Sequence, residues 1–405
     1  MKHHNDRLAA WSRRLDPLWR LTALALRAAP AGTAPTVPRS ILVVELHLLG
    51  DMVMLIPLLR VIRRCHPAAH IGLMAGGYAR DVLADTGLVD EFIMLRAPWV
   101  SKGQGLRGLQ GVRHAVRESR RRSWDWGIDV RGDVRNVLLL TLARARRRIA
   151  YNFTGGAALL TDVVPDDGVL RHIVDHHAAL AQYLGMPMTA EERIPSLRRD
   201  GGLNPPTGVS RSAAQTTEFL ERRPRRVGFH FGASLVLRRL PIEEACALIA
   251  LFQDAANTRL IVVDAPELLD FNSAVLQRLP PACTERIERW RGSLKEFITF
   301  LPSLDQFFAM DSGPAHLAGA LGIDTTVFFG PHLSMAVRPM GRRVTVVERE
   351  GINCRPCDQH RCVNRRHQEC LTDVVRLLRE ESAVPDSAAV LPGAARLRRD
   401  LSGVS

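Results

Sequence analysis

Apolar and polar positions alternate along this chain in blocks of strand length and helix length, and the same block order occurs twice. Ser40 to Leu46 is apolar and bounded by turn residues, which predicts a buried strand. Met52, Leu55, Ile56, Leu59 and Ile62 then recur on one helical face, with Pro57 predicting an irregular start or a kink. His70 to Met74, Asp90 to Leu95 and Trp126 to Val130 predict further strands, and Val137 to Ala145 a helix. Gly103 to Arg122 reads as a Gly- and Arg-rich loop leading into a basic helix. Arg146 to Tyr151 leads into a Gly155-Gly156 turn, and His172, His176 and His177 fall in a helical stretch.

The second series starts at Arg226. Val227 to His230 predicts a strand, Phe231 to Leu240 a loop, Pro241 to Ala255 a helix and Leu260 to Val263 a strand. Ser293-x-x-Glu296 fits a capping box. Phe307 to Met310 is a short apolar run, and Asp311-Ser312-Gly313 is a turn with helix-capping chemistry. Pro314 stands where a first helical residue would stand. Ala315 to Leu321 is a small-residue helix that Gly322 ends, and Thr325 to Phe329 is a second β-rich run. Exposed N–H groups at such a helix start favour an anion, and a diphosphate is the usual biological one.

Two doubly wound α/β domains facing one another across a cleft follow from this pattern. The boundaries read as an extension and linker over 1–38, an N-terminal domain over 39–200, a linker over 201–223, a C-terminal domain over 224–385 and a tail over 386–405. Within the extension, Leu8, Trp11, Leu15 and Leu18 repeat at helical spacing beside Arg13, Arg14 and Arg20. That helix either lies in a membrane interface or docks on the protein's own surface.

Length and composition narrow the classes. A chain of 405 residues with 46% hydrophobic and 24% charged residues fits two globular domains. The formal charge of +13 is carried mostly by Arg, which favours anionic partners or reflects a GC-rich genome. No apolar run reaches the roughly 18–20 residues that span a bilayer, and the start lacks signal-peptide order, so a cytosolic location is expected. Seven cysteines do not read as a secreted disulfide scaffold. No Gly-x-Gly-x-x-Gly or Walker motif occurs, which disfavours dehydrogenases and P-loop enzymes. An aromatic content of 5% and the lack of an RNA-binding motif argue against nucleic acid.

Asp51 sits at the carboxyl end of the first strand, where open α/β sheets bind ligands; its plain alternative is a helix cap. His172 and His176 have i, i+4 spacing but no convincing partners for a metal. Cys354, Cys357, Cys362 and Cys370 form C-x2-C-x4-C-x7-C with His360 and His367 among them. Such spacing reads either as a structural metal knuckle or as reduced thiols.

Three segments together resemble glycosyltransferase family 9, the ADP-heptose–lipopolysaccharide heptosyltransferases. They are residues 41–64, His230-Phe231-Gly232-Ala233-Ser234 through Arg238-Arg239-Leu240-Pro241, and residues 311–331 ending in Phe-Phe-Gly-Pro. The resemblance spans roughly residues 40 to 375. It implies a GT-B fold, with the acceptor mostly in the N-terminal domain and the donor mostly in the C-terminal one. The implied reaction moves a heptose from ADP-heptose to a sugar hydroxyl with inversion and without a metal. Asp51 matches the family's general base. Asp311, Ser312, Gly313 and His316 match its diphosphate and donor loop. Arg238 stands where the family usually carries a phosphate-contacting Lys, Ser234 lies in the same loop, and Glu267 matches a nucleoside-binding acid. The chain departs from the pattern at Arg238, at Leu240 in place of Trp, at Glu45 where a basic residue is frequent, and at His332 where Thr is common. The implied acceptor is a lipid-linked anionic sugar of the lipopolysaccharide core at the cytoplasmic face of the inner membrane. A family member with another nucleotide sugar or a protein acceptor, and a non-catalytic binding protein on the same scaffold, are the competing expectations.

Overall fold

The computed structural model describes residues 18, 19, 21, 22, 35–100, 105–197, 224–255, 257–357 and 360–382. Most of the N-terminal extension, the linker over 201–223 and the tail over 386–405 lie outside the described residues. The chain divides into two compact units between Arg199 and Asp200.

The first unit is a six-stranded parallel sheet of β1 (Ser40–Glu45), β2 (His70–Ala75), β3 (Glu91–Met94), β4 (Trp126–Asp129), β5 (Arg147–Ala150) and β6 (Asp162–Val163), in the order β3-β2-β1-β4-β5-β6. Its helices are α1 (Leu49–Cys65), α2 (Tyr78–Leu83), α3 (Gly105–Ser119), α4 (Val134–Leu142) and α5 (Ile173–Tyr183). All six residues of β1 are buried, as expected for a central parallel strand covered on both faces. Pro57 lies inside the continuous α1, as does a buried run from Met52 to Leu59.

The second unit repeats the plan with β7 (Arg225–His230), β8 (Thr258–Val263), β9 (Ile287–Trp290), β10 (Gln306–Met310), β11 (Asp324–Phe329) and β12 (Val344–Glu348), in the order β12-β11-β10-β7-β8-β9. Its longer helices are α6 (Ile242–Ala250), α7 (Leu269–Arg278), α8 (Gly313–Ala320) and α9 (Val374–Ser382). A shorter one, Leu294–Phe300, starts at Ser293, whose Oγ accepts the Glu296 N–H while Glu296 accepts the Ser293 N–H at 2.7 Å. On one side of this sheet Phe229 and Phe308 stack with centroids 5.5 Å apart, and Phe252 meets both rings edge-on.

Each sheet reverses its strand order once, between β1 and β4 and between β7 and β10. Open α/β sheets bind ligands at the carboxyl ends of the strands flanking that switch.

The structure corrects several expectations. The basic helix expected within 103–122 already starts at Gly105, where a leading loop was expected, because Val112, Ala115 and Val116 come onto one face and pack against the sheet beside Leu95. Arg147–Ala150 is a strand. Pro314 is the second helical residue, since α8 starts at Gly313. Three strands lie outside the expected set: β6, β9 and β12 are edge strands, and β9 has only partly covered or exposed side chains.

Gly72 in β2 faces the buried Trp124, whose Nε1–H donates to the Ser119 carbonyl at 2.7 Å. A Cβ on Gly72 would lie 2.4 Å from Trp124 Cη2. Gly72→Ala is expected to lower unfolding free energy by about 2 to 3 kcal/mol through overpacking. Urea denaturation checks this, and an unchanged midpoint would contradict the packing described.

Candidate functional site

In the first unit the switch point gathers Asp51, Arg131, Glu45, Asp129 and Asp133. Asp51 is the third residue of α1, and its Oδ2 accepts the Leu48 N–H at 3.1 Å. The carboxylate thus closes the helix start from the third helical position, with Leu48 and not Asp51 as the N-cap. It also does something the sequence did not show: its Oδ1 accepts a hydrogen bond from Arg131 Nη1 at 2.9 Å. Arg131 follows β4, and its side chain is only 7% exposed against 16% for Asp51.

The turn after β4 is built to aim Arg131. Asp129 Oδ1 accepts from the Arg131 N–H at 3.2 Å and from Asn136 Nδ2 at 2.9 Å, while Oδ2 accepts from the Asp133 N–H at 3.0 Å. Gly132 has φ +62°, and a Cβ there would lie 2.9 Å from the Tyr151 carbonyl oxygen. Asp133 caps α4 and pairs with Arg135. Glu45 is fully buried, with Oε1 accepting from the His47 N–H at 2.9 Å and lying 3.2 Å from His47 Nδ1.

The charges hold one another in place. Burial opposes a charge on Arg131, yet the carboxylates of Asp51, Glu45, Asp129 and Asp133 outweigh it and raise its pKa. Burial also opposes ionisation of Glu45, but the His47 hydrogen bond and the Arg131 charge win and bring it down to about 2. At Asp129 burial prevails, aided by Asp133 against the donors, and pushes the carboxyl up to about 7.

In the second unit the structure brings together two expected residues and one that was noted only as a departure. Asp311 follows β10 and is buried; its Oδ2 lies 2.6 Å from Arg238 Nη2 and 2.9 Å from His332 Nδ1. The same Arg238 nitrogen donates to the Asp311 carbonyl oxygen at 2.6 Å, while its buried Nε makes no hydrogen bond. Burial alone would raise the Asp311 pKa; the His332 hydrogen bond and the Arg238 charge reverse that and lower it. Arg355 fixes the far side of His332 by donating to its carbonyl oxygen at 2.7 Å and to Glu348 Oε2 at 2.6 Å.

The other expected residues lie in the segments that follow β7, β8 and β10. Gly313 opens α8, and His316 is buried within it. Ser312 is at the N-cap position, but its Oγ donates back to the Met310 carbonyl at 3.0 Å and makes no side-chain cap. Ser234 is exposed in the loop after β7, and Glu267 is exposed in the turn after β8. Arg239 ties those two loops together by donating to the Ala233 carbonyl at 3.3 Å and the Glu267 carbonyl at 3.2 Å. Leu240 is part of the hydrophobic core, so its departure from the family's Trp is a matter of packing.

Cys354, Cys357, Cys362 and Cys370 are free thiols lining one small cavity. The Gln368 N–H donates to Cys362 Sγ at 3.4 Å. Burial, with the three neighbouring thiols adding to it, pushes the Cys370 thiol up to about 11. Among the described residues, no group of three or more His, Cys, Asp or Glu is placed to hold a metal ion. His172 caps α5 through its ring, and His177 lies buried with Nδ1 3.1 Å from the Met54 carbonyl oxygen. Among the described residues, no helix is long and apolar enough to cross a membrane.

Comparison with known proteins places this arrangement. No curated protein matches the chain by sequence. Among solved structures, the ADP-heptose LPS heptosyltransferase II of E. coli is similar at TM-score 0.63 and 18% identity, covering 85% of this chain and 98% of its own. The E. coli heptosyltransferase WaaC with ADP aligns at TM-score 0.60 and 17% identity, covering 85% of this chain and 100% of its own. A family 9 glycosyl transferase from Veillonella parvula DSM 2008 aligns at TM-score 0.59 and 18% identity, covering 77% and 87%. At such identities the likeness is one of fold: two parallel six-stranded sheets with interleaved helices, as in the GT-B heptosyltransferases. The model of glycosyltransferase family 9 (heptosyltransferase) matches residues 112–367, more than half of the sequence, and the chain belongs to that family.

Proposed function

We propose that the protein transfers a heptose from ADP-heptose to an inner-core sugar of a lipid-linked lipopolysaccharide precursor, with inversion at the anomeric carbon. The observation that carries the proposal is the Arg238–Asp311–His332 cluster beside the start of α8. Arg238 and the His332 ring converge there on one carboxylate, and Arg238 keeps an unbonded Nε–H. A departing nucleoside diphosphate supplies oxygen acceptors for such donors and for the N–H groups at the helix start. The E. coli protein solved with ADP gives the adenine nucleotide its priority over others.

In this reading Asp51 is the general base. Each of its oxygens accepts one hydrogen bond, from Leu48 or Arg131, which fixes the carboxylate and leaves a further lone pair on each for the acceptor hydroxyl. The hydroxyl proton passes to Asp51 as its oxygen attacks the anomeric carbon, and the bond from that carbon to the diphosphate oxygen breaks with its electrons on ADP. Arg131 is a positioning residue, and the buried cation it supplies stands beside Glu45, where the family often has a basic side chain. Ser234, Arg238, Glu267, Asp311, Ser312, Gly313 and His316 form the proposed donor site. The acceptor's lipid makes the membrane surface a working partner. A different nucleotide sugar or a protein acceptor is the second reading, and its support is His332, which touches Asp311 directly.

Asp51→Asn is expected to reduce kcat about 100-fold or more while leaving ADP affinity unchanged. Transfer kinetics beside calorimetric titration check this, and near-normal turnover would remove Asp51 from the base role. Calorimetry of the wild type should show ADP preferred over UDP and GDP, with Arg238→Met weakening ADP about tenfold or more. A preference for UDP or GDP would keep the glycosyltransferase and refute ADP-heptose.

The Arg238–Asp311 pair also sets a pH dependence. A carboxylate whose folded pKa is depressed contributes stability above its unfolded pKa and loses it as pH falls. Arg238→Met should therefore cost about 3 kcal/mol near neutral pH, from an Asp311 left with a weaker set of partners. That gap to wild type should narrow as pH falls below about 4. Thermal unfolding across pH checks it, and a gap that stays constant would contradict the linkage.

A further inference from the structure

The edge of α3, where it meets Leu142 at the end of α4, carries a groove that the transfer reaction does not use. It is about 360 Å³ and is lined by Val112, Arg113, Val116, Arg117, Arg120 and Leu142. Its floor is apolar and its rim is three exposed guanidinium groups. Arg120 is fixed there by donating from Nε to the Leu142 carbonyl at 2.7 Å. Arg113 and Arg117 form no ion pair or hydrogen bond among the described residues.

Among the described residues, no acid of this unit is placed to pair with them. Acids close by in sequence or across the sheet edge are already taken: Glu118 by Arg121 at 2.7 Å, Glu91 by Arg122 at 3.3 Å and His70 at 3.0 Å, and Asp125 by Arg146 at 3.7 Å. Arg113 and Arg117 stand at i, i+4, where like charges destabilise a helix. An external anion would relieve that repulsion. Leu109 lies one turn before Arg113 on the same face and is 60% exposed. An exposed Leu followed along one helical face by three cations over an apolar floor has the chemistry of a bilayer interface. Nucleic acid fits less well, since no aromatic side chain lines the groove for base stacking.

We infer that this groove docks the protein on an anionic phospholipid surface, with Arg113, Arg117 and Arg120 taking headgroup phosphates and Leu109 entering the acyl boundary. The biological sense of the docking rests on the lipid-linked acceptor proposed above; the binding itself does not. It places a membrane contact on a described helix, in addition to any made by the N-terminal extension.

The test is co-sedimentation of the full chain with vesicles of phosphatidylethanolamine and phosphatidylglycerol, beside vesicles of phosphatidylcholine alone. Wild type should partition to the anionic vesicles, weaken as salt rises, and ignore phosphatidylcholine. Arg113→Glu with Arg117→Glu should reduce partitioning roughly 30-fold or more, and Arg113→Gln with Arg117→Gln should fall between. Both double variants should keep the wild-type unfolding midpoint and ADP affinity. Undiminished partitioning of the double Glu variant, or no wild-type binding to anionic vesicles, overturns the inference. So does equal binding to phosphatidylcholine, or competition only by a lipid-free phosphorylated sugar, which would make the groove an acceptor subsite. Loss of ADP binding in the wild type would count against the proposed function and leave the vesicle result to stand by itself.

Discussion

A parallel sheet covered by helices on both faces has no exposed face on which to carry chemistry. Its strands must be apolar throughout, and polar groups collect where the strands stop. Both units of this protein obey that constraint. β1, β10 and β11 are buried along their whole length, and the charged residues of interest lie in the segments that follow the central strands. The ligand-facing edge is therefore fixed by burial before any catalytic requirement enters.

Each switch point holds a carboxylate and an arginine supplied by the two strands that flank it. In the first unit the acid follows β1 and the arginine follows β4. In the second unit the arginine follows β7 and the acid follows β10. The same local strand order thus carries the pair in opposite senses. Removing one member of a buried pair leaves an uncompensated charge, so these positions tolerate little change. The surroundings differ as well. Arg131 sits among four acids, which keep it charged despite burial. Asp311 sits between Arg238 and His332, which keep its carboxylate ionised despite burial.

The central strands were legible because full burial demands apolar runs, and Asp51, Arg238 and Asp311 were legible because they sit in motifs that resemble a family. Other features were not. β6 and β9 are edge strands too short or too polar to leave an apolar run, and β12 is an edge strand whose Val-rich stretch was not singled out. Within 103–122 a basic helix was legible but its start was not, because the glycines at its beginning read as loop and only packing against Leu95 makes the helical face evident. Arg131 was missed because its partner lies 80 residues away and depends on β4 lying beside β1. Its one local signal was Asp129-Val130-Arg131-Gly132-Asp133, a charged turn at a strand end. His332 was noticed as a departure, but its bond to Asp311 needed β11 beside β10.

The most direct test of the account is the fate of the anomeric carbon. ADP-heptose and a lipopolysaccharide inner-core acceptor would be incubated with the full chain, with ADP release followed and the new linkage assigned by NMR. The account predicts acceptor-dependent ADP release and a heptosyl product whose anomeric configuration is opposite to that of the donor. A product with retained configuration, or ADP-heptose left intact while another nucleotide sugar is consumed, would contradict it.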